Sequence, residues 1–243
     1  MEFKEFSNRI DQWDQKIILK YNGLGGKPIT FILRVFSFFG RETLWLFLIA
    51  FYLFIWYDPF LLSYISAIFL TGLILILLIK QIVKRKRPFE RFEKDKITVF
   101  ERTPTSRSFP SWHSYNVMAY GLIFGLFFLK SPIISILAFF FAALVSFSRI
   151  QLGVHYPSDV IFGCIIGIIG FLITVFLTGP LILHTLIYFE QFIEFEIQYR
   201  QINPMLLNNI GYLMLSLCIF LIIFLLAINK TIQALLKKKR VKV

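Results

Sequence analysis

Long apolar blocks separated by short charged stretches dominate the pattern of this sequence. A block of about 20 apolar residues is long enough to cross the hydrocarbon core of a bilayer as a helix. Six blocks that approach this length lie at residues 43–57, 59–80, 114–130, 132–148, 158–178 and 206–229. The pattern therefore predicts an all-α fold, an integral membrane helical bundle of about six transmembrane helices.

Two further segments have patterns typical of helices that lie on a membrane surface. In the N-terminal segment, apolar residues recur at helical spacing opposite the charges, at Phe3, Phe6, Ile10, Trp13 and Ile17. A segment after the fifth block is first apolar and then acidic and aromatic. The predicted layout is one membrane domain (1–243) with an interfacial amphipathic helix (1–27), a core (28–178), an interfacial segment (179–205), a last transmembrane helix (206–229) and a basic tail (230–243).

Composition narrows the class of partner. Of the 243 residues, 57% are hydrophobic, and the formal net charge is +12. Most cations flank apolar blocks, where such side chains meet lipid headgroups, and no platform of aromatic and basic residues is present. We therefore expect membrane lipids as partners and no nucleic acid.

The cations are divided unequally between the two sides of the predicted bundle. With six spans, both termini and the loops 81–113 and 149–157 share one side. Of the 26 Lys and Arg residues, only Lys130 and Arg200 fall on the other side. The positive-inside rule predicts that the cation-rich side is cytoplasmic, in a bacterial inner or plasma membrane.

Three short stretches on the cation-rich side carry candidate chemistry. The first reads KQIVKRKRP, and it places Lys80 and Arg87 seven residues apart, on one face of a helix that Pro88 ends. The three cations between them, residues 84–86, are interpreted as side chains that anchor the helix end at the membrane surface.

The second stretch, SFPSWHS, is predicted to begin a helix at Pro110. The backbone N–H groups of Ser111, Trp112 and His113 would then lie at the helix N-terminus, which is a binding site for anions. An ordinary helix cap formed by Ser111 is the alternative interpretation.

The third stretch, SRIQLGVHYPSD, carries Arg149 at the end of a span, His155 in a loop, and Asp159 in the first turn of a helix that begins at Pro157. A carboxylate four residues after the histidine can reach its imidazole, fix its tautomer and raise the basicity of the other ring nitrogen. A purely structural His–Asp pair is the alternative.

Together these groups fit phosphoryl transfer. Donors placed in advance stabilise the charge on the oxygens of the transferred group, and the candidate donors are Lys80, Arg87, Ser111, the amide of Trp112, and Arg149. His155, oriented by Asp159, can attack phosphorus, and His113 can protonate the departing alkoxide and then activate water. The carboxylates of the loop 81–113 show no spacing that requires a metal ion, so neither metal nor cofactor is predicted.

Three motifs occur in order along the chain: Lys80-x6-Arg87-Pro88, Pro110-Ser111-Trp112-His113, and Ser148-Arg149-x5-His155-x3-Asp159. Together they resemble the three-part signature of the type 2 phosphatidic acid phosphatase (PAP2) superfamily of membrane lipid phosphatases, over about residues 30–180. The resemblance implies a helical bundle with the site at its rim, a phosphohistidine mechanism with His155 as nucleophile, and lipid or polyisoprenyl phosphates as substrates. Trp112 stands where the family's second motif usually has glycine. Familiar family members open their site away from the cytoplasm, opposite to the side that the cations indicate.

The predicted function is therefore a membrane lipid phosphatase that hydrolyses a lipid or polyisoprenyl phosphate or diphosphate through a phosphohistidine, without metal. One alternative is a lipid phosphotransferase, in which the same phosphohistidine donates to an acceptor other than water. A second is a non-catalytic lipid-phosphate binding or transport protein. The predicted partners are a lipid phosphate substrate and membrane lipids, and no oligomeric state is predicted.

Overall fold

Helices make up the regular structure of the chain. A computed structural model describes the backbone of residues 2–93, 96–101, 103–193 and 199–240, and the side chains of residues 5–227 within those ranges. The helices are α1 (Glu2–Tyr21), α2 (Gly26–Phe38), α3 (Glu42–Ala50), α4 (Pro59–Val83), α5 (Pro88–Arg91), α6 (Trp112–Leu122), α7 (Pro132–Gln151), α8 (Pro157–Ile173), α9 (Gly179–Glu190), α10 (Met205–Asn208) and α11 (Ile210–Arg240). Short π-helical segments lie at Phe51–Ile55, Ile123–Phe128 and Thr174–Thr178. The predicted all-α class is confirmed.

Five helical stretches of the described chain are long and apolar enough to cross a membrane. They are Gly26–Ile55, Pro59–Arg91, Pro132–Gln151, Pro157–Glu190 and Ile210–Ala227. The sixth predicted block, 114–130, is helical from Trp112 to Phe128. A helix of this length is about 25 Å long, which is the short end of the range for a membrane span. The prediction of an integral membrane bundle is confirmed.

The structure differs from the sequence prediction after residue 178. We expected a membrane span to end there, just before Pro180, because the segment that follows is apolar and then acidic and aromatic, as in an interfacial helix. Instead, the π-helical segment Thr174–Thr178 leads directly into α9, and the helical stretch reaches Glu190. A π-helical turn holds an extra residue, so it accommodates the hydrogen bond that the proline cannot make. Residues 194–198, later in the predicted interfacial segment, lie outside the described residues.

Residue contacts divide the chain into two units. The first unit comprises residues 1–41 and 70–173, and it contains every candidate site residue. The second unit comprises residues 42–69 and 174–243. The single membrane domain over residues 1–243 stays a prediction.

The second unit contains α3 and α11, which pack on each other. The ring centroids of Phe47 on α3 and Phe220 on α11 are 5.2 Å apart. Residues 42–69 and 174–178 of the predicted core 28–178 thus belong to this unit and not to the unit that holds the candidate site.

The first unit is built around α6, which packs on α7 and α8. Val117 and Met118 of α6 form a buried cluster with Ala142 and Val145 of α7. This apolar contact holds the N-terminus of α6, and with it the second motif, in a fixed position.

Glycines let α8 approach α6 closely. A Cβ atom at Gly163 would lie 2.6 Å from the carbonyl oxygen of Ser111, and one at Gly167 would lie 2.9 Å from the Cβ atom of Met118. Side chains at these positions would collide with α6, so small residues permit the short separation of the two helices. The close packing brings the second and third motifs side by side.

Helix α1 is confirmed, and its C-terminal half belongs to the core of the first unit. Ile18 is fully buried in a cluster with Ile150 and Tyr156, whereas Trp13 is exposed. Asp14 is also fully buried, which is unusual for a carboxylate that has no partner on its own helix. The location of α1 at the membrane surface stays a prediction.

Candidate active site

The first motif does not lie on one continuous helix. We expected Lys80 and Arg87 to share a helix that ends at Pro88, and this is wrong, because α4 ends at Val83. Lys84 then adopts a φ of 50°, a left-handed conformation that cannot continue a right-handed helix. Arg87 instead forms the N-cap of α5.

Both cations of the first motif are nonetheless buried, and both face one loop. Lys80 Nζ donates a hydrogen bond to the carbonyl oxygen of Arg107. Arg87 donates to the carbonyl oxygens of Ser106 at 2.7 Å, Arg107 at 3.4 Å and Val154 at 2.8 Å. Both side chains thus donate to the same loop carbonyl group, that of Arg107.

The second motif begins α6 two residues later than predicted. Pro110 precedes the helix, Ser111 is its N-cap, and Trp112 is its first residue. Ser111 Oγ accepts a hydrogen bond from the N–H group of Ser114 at 3.4 Å, so the predicted alternative of an ordinary cap is present. The Ser111 N–H group donates to the carbonyl oxygen of Asp159 at 2.9 Å, and it ties the second motif to the third.

His113 lies in the first turn of α6 and is half-buried. A Cβ atom at Gly40 would lie 2.7 Å from the Cβ atom of His113, and the Gly40 carbonyl oxygen accepts a hydrogen bond from Asn116 Nδ2 at 2.9 Å. Burial and the charge of Arg149 hold the pKa of His113 well below its ordinary value of 6.5. The ring is therefore neutral before an anion enters the site.

His155 is buried between a guanidinium group and a carboxylate. Its Nε2 atom is 3.2 Å from Arg87 Nη1, and its Nδ1 atom is 3.4 Å from Asp159 Oδ2. Because a guanidinium group has no acceptor, Arg87 must donate and Nε2 must carry the lone pair. The neutral ring therefore bears its proton on Nδ1, toward Asp159.

The charge state of His155 fits a nucleophile. Burial and the positive charge of Arg87 hold the pKa of His155 well below its ordinary value of 6.5. The ring is neutral at physiological pH, and its Nε2 lone pair faces Arg87.

Asp159 is fully buried and its oxygens are fixed by several donors. Oδ2 accepts from the N–H group of Tyr156 at 2.9 Å and from the hydroxyl group of Ser108. Oδ1 accepts from Arg85 Nη1 at 2.7 Å. The predicted pairing of Asp159 with His155 is thus present, inside a larger network than the sequence indicated.

Arg149 is buried and paired with a carboxylate from the loop before α6. Its Nη1 atom is 2.9 Å from Glu101 Oε2 and 2.5 Å from Ser37 Oγ, and its Nη2 atom is 2.6 Å from Glu101 Oε1. The Nε–H group of Arg149 is buried and has no hydrogen-bond partner within the described part of the chain. A buried donor without an acceptor is costly, and a phosphoryl oxygen bound here would satisfy it.

These three motifs come from separate elements of the first unit and converge on His155. A sequence model of the PAP2 superfamily matches residues 56–182, which is 127 of the 243 residues. The chain belongs to the PAP2 superfamily. The predicted family is thereby confirmed.

Two curated relatives with lipid-phosphatase names match a shorter part of this PAP2 protein. Decaprenylphosphoryl-5-phosphoribose phosphatase of Mycobacterium tuberculosis is 38% identical over 91 residues, which are 37% of this chain and 46% of the relative. Lipid A 1-phosphatase of Rhizobium etli is 36% identical over 93 residues, which are 37% of this chain and 38% of the relative. The chain thus matches less than half the length of each relative.

Two solved structures share the fold of this PAP2 chain. The PAP2 type phosphatidylglycerolphosphate phosphatase from Bacillus subtilis has a TM-score of 0.53 and 24% identity, and the likeness covers 78% of this chain and 90% of that chain. LpxE of Aquifex aeolicus has a TM-score of 0.56 and 23% identity, with 66% and 93% covered. At these identities the likeness shows the fold alone.

Trp112 stands where the second PAP2 motif usually has glycine. The indole is half-buried and stacks on the ring of Tyr115, with centroids 5.8 Å apart and planes inclined by 26°. Tyr115 is itself held between two helices, since Cβ atoms at Gly72 and Gly170 would lie 2.1 and 2.5 Å from its side chain. The indole therefore packs on a fixed aromatic ring at the N-terminus of α6.

Three residues of this PAP2 site were not predicted from the sequence. Arg85 was interpreted as a membrane anchor, yet its guanidinium group binds Asp159. Glu101 was one loop carboxylate among several. Asp14 could have been identified from the sequence, because it lies four residues from both Ile10 and Ile18 and hence on the apolar face of α1, where a carboxylate is unexpected.

The PAP2 site was predicted to need no metal ion. Within the described residues, no three His, Cys, Asp or Glu side chains group together in a way that could hold one. Asp95, a carboxylate of the same loop as Glu101, lies outside the described residues. A metal-free reaction stays a prediction.

Proposed function

We propose that this PAP2 protein is a membrane phosphatase that hydrolyses a lipid or polyisoprenyl phosphate or diphosphate through a phosphohistidine on His155, without metal. The observation that carries the proposal is the state of His155. Its Nε2 lone pair faces the cation Arg87, and its Nδ1 proton faces the buried carboxylate of Asp159. A neutral, oriented imidazole beside fixed cations is what an attack on a phosphoryl group requires.

In the first step, the Nε2 lone pair of His155 attacks phosphorus and an N–P bond forms. The P–O bond to the lipid breaks at the same time, and the departing oxygen takes a proton from His113. A bound phosphate carries negative charge, which raises the pKa of His113 from its low resting value and allows it to hold that proton. The products of this step are the dephosphorylated lipid and phosphohistidine.

In the second step, His113 removes a proton from a water molecule, and the oxygen attacks the phosphohistidine. The N–P bond breaks, the electron pair returns to Nε2, and inorganic phosphate leaves. The positive charge that the His155 ring carries in the intermediate is stabilised by Asp159. One side chain thus serves as acid and then as base.

Fixed hydrogen-bond donors stabilise the negative charge of the phosphoryl group during its transfer. The proposed donors are Lys80 near the end of α4, Arg87 at the N-cap of α5, and the backbone N–H groups of the first turn of α6 after Ser111. The unpartnered Nε–H group of Arg149 is a further donor. Because these donors are already held by the protein, little reorganisation accompanies the reaction.

Two observations support a lipid substrate. Five helices of the described chain are long and apolar enough to cross a membrane, which would hold the site close to lipid substrates. The curated relatives are named for a decaprenyl-linked phosphosugar and for lipid A, both of which are lipid phosphates.

The proposal is tested by phosphate release from the purified protein in detergent, against a panel of phosphatidate, phosphatidylglycerophosphate, undecaprenyl diphosphate, a sphingoid phosphate and a lipid A phosphate. We expect turnover of at least one substrate, insensitivity to a chelator, and loss of turnover in His155→Ala by at least about 10³-fold. Retained phosphate release by folded His155→Ala would overturn the proposal. Product that forms only when an acceptor lipid or sugar is added would indicate a phosphotransferase, and binding without turnover would indicate a non-catalytic protein.

A further inference from the structure

A set of buried charges links the N-terminal helix to the catalytic pair. We name it the positioning network, and it consists of Asp14, Arg85, Ser158 and Asp159. Arg85 Nη2 is 2.6 Å from Asp14 Oδ2, and Arg85 Nη1 is 2.7 Å from Asp159 Oδ1. One guanidinium group therefore bridges two carboxylates whose side chains are both 0% exposed.

The same network caps the helix that carries Asp159. The N–H group of Ser158, in the first turn of α8, donates to Asp14 Oδ1 at 2.8 Å, and its hydroxyl group donates to Asp14 Oδ2 at 2.5 Å. A carboxylate at a helix N-terminus is favourable, because the unpaired N–H groups there carry partial positive charge. The guanidinium carbon of Arg85 also lies 4.2 Å from the ring centroid of Tyr156, close enough for a cation–π contact.

The network acts on His155 through one carboxylate group. Asp159 Oδ1 is occupied by Arg85, and Asp159 Oδ2 faces the Nδ1 atom of His155 at 3.4 Å. That distance is long for a hydrogen bond, so a small rotation of the carboxylate would break the contact. Arg85 holds Oδ1, while the Tyr156 N–H and the Ser108 hydroxyl groups hold Oδ2, so Arg85 shares in setting this rotation. Asp14 in turn holds Arg85.

We propose that Arg85 and Asp14 are positioning residues for catalysis, so that the N-terminal helix α1 is part of the active site and not only a membrane-surface anchor. Since neither side chain contacts His155, both act through Asp159. The inference rests on the proposed function, in which His155 is the nucleophile.

The test compares kcat, KM and thermal midpoint of purified variants in detergent. The variants are Asp14→Asn, Arg85→Gln, Arg85→Lys and the double variant Asp14→Asn/Arg85→Gln. Two matched controls remove charges that make no contact with the network: Glu5→Gln, in an exposed ion pair with Arg9 on the same helix, and Lys86→Gln, the exposed cation beside Arg85.

We expect Asp14→Asn and Arg85→Gln to lower kcat by about 10- to 100-fold, by analogy with the loss of outer-shell groups that orient metal ligands, with KM changed less than about threefold. The double variant should lose no more than Arg85→Gln alone, because both residues act along one path. Arg85→Lys keeps the charge but cannot bridge two carboxylates, so its kcat should also fall. Both controls should stay within about twofold of the unsubstituted protein.

The pH profile separates positioning from a purely structural role. Without Arg85, the full negative charge of Asp159 acts on His155 and favours its protonated form, so the acid limb of kcat/KM should move to higher pH in Arg85→Gln. Arg85→Lys retains a positive charge, and its acid limb should stay near that of the unsubstituted protein. The other charged or titratable groups that face His155 are Lys80, Arg87, His113 and Arg149, and they are the same in all variants.

Unchanged kcat in folded Arg85→Gln and Asp14→Asn would overturn the inference, and so would additive losses in the double variant. If Asp14→Asn does not fold, Ser158→Ala takes its place. This substitution removes the hydroxyl contacts to Asp14 and Arg85 without removing a charge. An unchanged kcat in Ser158→Ala would equally overturn the inference. Activity in His155→Ala would show that the proposed function fails. If His155→Ala is inactive while the variants of the positioning network are fully active, only this inference fails.

Discussion

At the scale of single residues, the proposed chemistry rests on two histidines, and their surroundings set their charge. Burial lowers the pKa of both His155 and His113, and nearby guanidinium groups lower it further. Each ring therefore resists protonation before substrate binds. Under the proposed function, the same cations that bind the phosphoryl group keep the nucleophile neutral.

This arrangement predicts an unusually acid-tolerant enzyme. The nucleophile works only when neutral, so activity is lost as the pH falls through the pKa of His155, and that pKa lies well below 6.5. We expect kcat/KM to stay flat from pH 8 to below pH 6.5. Because the substrate phosphate itself titrates near pH 6, its protonation is followed by ³¹P NMR in parallel. A protein-dependent loss of kcat/KM centred at pH 6.5 or above would contradict the prediction.

Trp112 predicts an effect on substrate choice. The indole is half-buried at the N-terminus of α6 and stacks on Tyr115. It can therefore contact a lipid substrate while the backbone of Trp112 stays helical. We expect Trp112→Gly to change the ratio of kcat/KM between lipid substrates by about tenfold, with little change in inhibition by inorganic phosphate. Trp112→Phe retains an aromatic stack and is the control. An equal loss of rate for every substrate would count against this role.

At the scale of elements, the glycine face of α8 determines where the second motif stands relative to the third. We expect Gly163→Ala to destabilise the protein by roughly 1–3 kcal/mol, because its Cβ atom would lie 2.6 Å from the Ser111 carbonyl oxygen. Displacement of Ser111 should also lower kcat, measured by phosphate release beside the thermal midpoint in detergent.

Gly211→Ala is the matched control for this change. It adds the same methyl group to α11, where the nearest atom is Asn209 Oδ1 at 3.3 Å, on a movable side chain. An unchanged thermal midpoint in Gly163→Ala would contradict the proposed role of close α6–α8 packing.

The elements also show what a sequence can and cannot predict here. Apolar block length located the membrane helices, and motif spacing identified Lys80, Arg87 and His155, because both are local properties of the chain. The end of α4 was misplaced because the left-handed turn at Lys84 has no signature among consecutive basic residues. Arg85 could not be distinguished from the neighbouring basic residues for a second reason. Its distinguishing feature is contact with Asp14, which lies 71 residues earlier in the chain.

At the scale of the whole molecule, the distribution of cations predicts which side of the membrane holds the site. Lys86 precedes α5 on the side of the motifs, whereas Lys130 follows the helical stretch Trp112–Phe128 at its other end. By the positive-inside rule we expect Lys86 in the cytoplasm and Lys130 outside.

The prediction is checked with single cysteines at positions 86 and 130, in a background without Cys164 and Cys218. In intact cells, a membrane-impermeant maleimide should label Lys130→Cys, and it should label Lys86→Cys only after the membrane is permeabilised. The reverse pattern would place the site outside the cytoplasm, as in familiar family members. Phosphate release by both variants shows that each is folded.

The ion pair between Glu101 and Arg149 limits which donors of that arginine can bind a substrate phosphate. Both Nη atoms of the arginine hold the carboxylate of Glu101. Its Nε–H group, which has no partner within the described residues, is the donor that remains for a phosphoryl oxygen. Under the proposed function, one guanidinium group is then shared between the substrate and an anion of the protein itself, whose charge partly offsets what Arg149 offers to phosphate.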